Sequence, residues 1–77
     1  MVRFSEWKRR TMQKLIQLAT QASSEKERRD LENLMDMLYT LRYRDLSSFL
    51  RLLYEYCRYH NKFSVCKELT QEEIESD

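Results

Sequence analysis

The sequence predicts an all-α protein, a small helical bundle or hairpin built on one long central helix. Three observations carry this expectation. The 77 residues include no glycine and no proline, so both residues that normally make tight turns are missing. Apolar residues recur at steps of three and four along most of the chain. Ser24 and Glu27 also form a Ser-x-x-Glu capping box, a helix-start signal.

Ser5 is an N-cap residue, and Trp7, Thr11, Leu15, Leu18, Ala19 and Ala22 follow on one face. This predicts a first amphipathic helix of about five turns. Arg3, Arg10 and Lys14 lie with Gln13, Gln17 and Gln21 on its opposite, solvated face. Residues 21–25 (QASSE) read as a loop, and the capping box starts a second helix near Glu25.

Beyond it, Leu31, Leu34, Met35, Leu38 and Leu41 form one apolar stripe, and Leu46, Phe49, Leu50, Leu53, Tyr56 and Cys57 form another. The two stripes are in phase on one helical wheel, which favours a single helix over residues 25–60, on the order of 50 Å long. The first helix is about half that length and cannot cover it, so the rest must meet another chain or the carboxyl-terminal segment. A competing reading breaks the helix near residues 43–48 (YRDLSS), with Asp45 capping a third helix in a compact bundle. Residues 61–68 (NKFSVCKE) read as an irregular return. Thr70 and Glu73 then form a second capping box, with Leu69 and Ile74 as its hydrophobic staple, so a helix start is expected at 70. The organisation is thus a helical domain over 1–67 and an acidic tail with a helix start over 68–77.

Charge divides along the same boundary. All 14 basic residues and eight of the 13 acids precede residue 68, and the last ten residues hold five acids and no base. The amino terminus has charges where a signal peptide needs an apolar stretch, and no apolar run could span a membrane. A cytoplasmic, or nucleoid- or nucleus-associated, protein is expected. In such a compartment Cys57 and Cys66 are expected to be reduced; a disulfide between them needs the chain to reverse after His60.

Catalysis has little support. There is one histidine and no glycine-rich loop to hold a phosphate. Cys57, His60 and Cys66 are three candidate zinc ligands, and a closed site needs a fourth, such as Glu55 or Glu68. The expected roles are instead Cys57 as a small core residue and His60 near a helix end. No enzyme activity, catalytic residue, cofactor or metal is therefore expected.

Binding has more support. A helix apolar nearly all round wants neighbours on several sides, and a chain this short has few to offer. Leu46, Phe49, Leu50, Leu52, Leu53, Tyr54, Tyr56 and Tyr59 are the candidate partner interface, with Leu52, Tyr54 and Tyr59 the least core-like. The run Tyr54 to Phe63 interleaves aromatics with Arg58, His60 and Lys62, a composition resembling a nucleic-acid surface. Arg3, Arg10, Lys14, Arg42, Arg44 and Arg58 are the candidate phosphate contacts.

Several segments resemble the helical domain of archaeal GINS replication-complex subunits. They are Phe4, Glu6 and Trp7, the break at Ser23, Ser24 and Glu25, the stretch Leu41-Arg42-Tyr43-Arg44-Asp45-Leu46, and Glu68-Leu69-Thr70-Gln71-Glu72-Glu73. The further helix and small β domain of that family have no counterpart here. The resemblance implies scaffold contacts in a replication assembly and no catalysis. The expected function is a small helical accessory or adaptor subunit that binds a larger protein, or a homo-oligomer, with nucleic acid reached through the complex. The alternative is a small basic helical DNA-binding protein or transcription regulator.

Overall fold

The computed structural model describes residues 1–77 and opens with a two-residue strand, β1 (Val2–Arg3), that runs directly into helix α1 (Phe4–Gln21). Trp7, Thr11, Leu15 and Leu18 are its buried residues, four of the positions expected on the inner face. Ser5 lies inside the helix and does not cap it. Its backbone N–H and hydroxyl both donate to the Asp77 carboxylate, so the cap for α1 comes from the far end of the sequence.

Helix α2 (Glu25–Tyr39) starts where expected, with Ser24 Oγ accepting from the Glu27 N–H at 3.1 Å. The reciprocal arm of the capping box is not made, because the Glu27 side chain turns inward to Tyr56. α1 and α2 form a hairpin, and Lys8 Nζ at the start of α1 donates to the Leu41 carbonyl just past the end of α2.

The single helix over 25–60 is not formed. The chain leaves the helix at Thr40, runs extended through Arg42, makes one 3-10 turn at Tyr43–Asp45 and enters helix α3 (Leu46–Tyr59). Asp45 holds the N-cap position without a side-chain capping bond. The longest dimension is 36 Å, well short of the roughly 50 Å that one continuous helix requires. Burial explains the break. Folding back sets Phe49 and Leu53 into the same cluster as Leu31, Leu34 and Leu38, and the extended segment carries Leu41 inside as well. In-phase stripes report which face of each segment is apolar, and they are as compatible with two packed helices as with one.

Residues 61–68 are also more regular than expected. Asn61 adopts a left-handed conformation (φ 61°), and the Lys62 N–H returns to the Cys57 carbonyl at 2.7 Å. This is a Schellman stop, and in a chain without glycine, asparagine is the residue that enters this region most readily. The reversal lays a short helix, α4 (Phe63–Leu69), along α3 and places the Cys66 Cα 6.4 Å from that of Cys57. The cysteines are therefore disulfide-bonded and not free, contrary to the reduced state expected. Both are buried, so this staple sits in the core.

No helix starts at 70. Thr70 ends α4, its hydroxyl bonding back to the Cys66 carbonyl at 2.6 Å, and the tail continues to a strand, β2 (Ile74–Glu75), parallel to β1. Leu69 faces the core and is no staple for a following helix. The Thr70 box was legible as a cap, but its hydroxyl serves a preceding helix. The finished protein is all-α apart from this two-residue strand pair, and no helix is long and apolar enough to cross a membrane.

Thr11 is fully buried and its hydroxyl has no hydrogen-bond partner. Thr11→Val, which keeps the shape and removes the orphan group, is expected to leave stability unchanged or raise it by about 1 kcal/mol in urea denaturation. The Cys57→Ala/Cys66→Ala pair is expected to cost about 2–3 kcal/mol in the same measurement, the loop entropy released by opening a short cross-link.

Candidate partner-binding groove

α3 divides its apolar residues between two surroundings. Phe49, Leu53 and Tyr56 are buried, and Leu46 and Leu50 pack partly against the core. These five of the eight expected interface residues serve the protein's own interior. Leu52, Tyr54 and Tyr59 are exposed, the same three that looked least core-like in the sequence. α2, α1 and α4 supply the covering that a lone first helix could not.

Leu52 and Tyr59 open onto a groove of about 370 Å³ between α3 and α2. Met37, from α2, is the third exposed apolar side chain there, while Leu34 and Tyr56 belong to the core beneath. Met37 was not among the expected interface residues. It lies off the stripe of Leu31, Leu34, Met35, Leu38 and Leu41 and is exposed beside the groove.

One end of the groove is polar and tightly organised. The Tyr56 hydroxyl donates to buried Glu27 at 2.8 Å, and Lys62 Nζ lies 3.9 Å from the same carboxylate. His60 Nε2 lies 2.8 Å from Asp30 Oδ2, and Lys26 Nζ donates to the other Asp30 oxygen at 2.9 Å. The imidazole is held between the Tyr56 and Tyr59 rings, with centroids 5.0 and 4.8 Å away. Lys26 also sits 5.3 Å from the Tyr59 ring centroid. This network joins the first turns of α2 to the last turn of α3 and fixes one wall of the groove.

Its electrostatics follow from that geometry. Burial pushes the Tyr56 phenol well above its ordinary value of 10.0, and the Glu27 carboxylate that accepts its proton raises it further. Partial burial works to raise the Asp30 carboxyl, but hydrogen bonds from His60 and Lys26 outweigh it and hold the group below its usual range. The Cys57, His60 and Cys66 set offers no metal site here, since both sulfurs are bonded to each other, and no group of three His, Cys, Asp or Glu side chains is arranged to hold an ion.

The candidate phosphate contacts scatter. Arg10 is paired with Glu6 and Glu72, and Lys14 with Glu68, so the acidic tail lies over the basic face of α1. The acids of the tail pair with α1 and start no helix. Arg3, Arg42 and Arg58 are exposed with no carboxylate within 4 Å, and Arg44 lies 3.9 Å from its neighbour Asp45. No protein-family model, curated protein or solved structure matches this chain.

Tyr56→Phe deprives buried Glu27 of its closest donor and is expected to cost about 1–3 kcal/mol. The pH dependence has two arms. Because the folded Tyr56 holds its proton more tightly than the unfolded one, its contribution is complete below about pH 10 and is lost as pH rises toward the folded value. Asp30 has a lowered value, so its contribution is present above the ordinary carboxylate range and lost as pH falls through the folded one. Urea denaturation across pH should show the alkaline loss in the wild type and less of it in Tyr56→Phe.

Proposed function

We propose that the protein is a non-enzymatic adaptor that docks a larger protein in the α2–α3 groove. The observation that supports this reading is the convergence of Met37, Leu52 and Tyr59 from two helices on one groove over a packed floor. Scattered apolar residues on a surface are ordinary, whereas three large ones bordering one groove form a patch. The disulfide and the Glu27–Tyr56 network hold α3 in place, so the groove needs little ordering when a partner arrives. Lys26, Asp30 and Glu55 edge the apolar strip with polar groups, the arrangement of an interface rim. A groove between two helices suits a helical ridge presenting apolar side chains every third and fourth residue.

A setting in DNA replication is part of the proposal, and it rests on the sequence resemblance to GINS subunits. A cytoplasmic or nucleoid- or nucleus-associated location goes with it. The docking surface itself is independent of that setting. It differs from the surface read along the sequence by including α2, by leaving Leu46, Phe49, Leu50, Leu53 and Tyr56 to the core, and by lacking Tyr54.

The test uses a partner co-purified with the tagged chain from native extract and then purified for calorimetry. Met37→Glu and Leu52→Glu are expected to weaken that binary complex at least tenfold while moving urea stability by less than about 1 kcal/mol. Ile16→Glu, at an exposed apolar site on α1, should leave the affinity unchanged. Equal affinity for all three variants, or a concentration-dependent dimer abolished by the groove substitutions, would displace the adaptor reading.

A further inference from the structure

We infer a second binding surface, on the outer side of α3 and α4, that takes single-stranded nucleic acid. Arg51 and Arg58 stand two turns apart on one face of α3, and Tyr54 lies between them. All three, with Leu50 and with Phe63 from the start of α4, line one shallow concavity. Neither arginine has a carboxylate within 4 Å; Glu55, also on this concavity, is its single acid and pairs with neither. Lys67 extends the cationic side one turn further along α4, also without an ion pair.

Charge and shape together select the occupant. The tail already pairs with Arg10 and Lys14 on α1, which leaves the α3 arginines as the free cations that share a concavity. Their guanidinium groups suit phosphate oxygens, which accept paired N–H donors. Tyr54 is 48% exposed and Phe63 58%, so both aromatic side chains are open to solvent and within reach of a base. The Tyr54 hydroxyl is anchored 3.1 Å from Thr70 Oγ1, which holds its ring in place before any base arrives. Exposed rings beside free arginines fit unpaired bases, whereas a duplex keeps its base faces stacked inside. An acidic peptide would use the arginines and leave the rings without a role.

This surface adjoins the α2–α3 groove at Glu55, shares no other residue with it and stands without the adaptor reading. The test is fluorescence anisotropy of the full disulfide-bonded chain with labelled dT15, rU15, a 15-base-pair duplex and a polyglutamate peptide, each over a range of salt. Both single strands are expected to bind more tightly than the duplex and the peptide, and the ratio of dT15 to rU15 affinity tells DNA from RNA. Arg51→Ala/Arg58→Ala should weaken single-strand binding at least tenfold and flatten its salt slope by about 0.7 for each phosphate that is no longer neutralised. Phe63→Ala should weaken it by about tenfold with the slope unchanged, and Tyr54→Phe, which keeps the ring and loses its anchor, should weaken it less than Phe63→Ala does. Circular dichroism of each variant separates lost binding from lost folding. Tighter binding to duplex or polyglutamate, no binding to either single strand at about 50 mM salt, where phosphate attraction is strong, or single-strand affinity indifferent to the arginine pair in folded protein would overturn the proposal.

Discussion

The indole of Trp7 is where the two ends of this chain are tied to its middle. Its N–H donates to the Leu69 carbonyl at 2.8 Å, at the end of α4, while its ring meets Phe49 of α3 edge-on at 6.0 Å and Phe4 at 6.1 Å. A buried indole N–H without a partner is costly, so α4 has to finish where its carbonyl can meet Trp7. Phe4 in turn packs edge-on against Tyr43, and Lys8 holds the Leu41 carbonyl, so the same end of α1 also secures the α2–α3 connection. With α4 placed, the tail lies beside β1, and Asp77 reaches the first turn of α1.

A small protein with 15 buried apolar residues in its core has little hydrophobic stabilisation to spare, and the additional constraints are local cross-ties. The disulfide joins α3 to α4, and the buried Glu27–Tyr56 bond joins α2 to α3. Each also shapes a surface. The first holds Phe63 beside the α3 arginines, and the second sets the polar end of the α2–α3 groove. The two candidate surfaces thus share α3, one on each flank, with its buried stripe between them. This division lets one helix of 14 residues supply core and two candidate binding faces.

How much of this was legible along the chain depended on the range of the interaction. The inner face of α1, the loop at 22–24 and the start of α2 follow from periodicity and capping, which act within one or two turns. The break between α2 and α3 was the competing reading to a favoured single helix. Thr40 and Leu41 carry no glycine or proline, and the segment opens because Leu41 gains burial from long-range packing. The α4 helix was missed because its periodic signal is short, although Asn61 was a readable reversal signal in a chain without glycine. Of the groove, Leu52 and Tyr59 were readable as surplus apolar residues on a crowded helix, and Met37 was not.

What the sequence by itself determined is the all-α class and the apolar stripes of α1, α2 and α3, because both arise from side-chain spacing on a 3.6-residue period. Only the tertiary structure decided which apolar residues remain outside, that Cys57 meets Cys66, and that the acidic tail pairs with α1. It also decided that Thr70 closes a helix and opens none. Those outcomes join residues distant in sequence or depend on which of two neighbouring helices a side chain can reach. Local pattern supplies the groups available for such pairings, and packing selects among them.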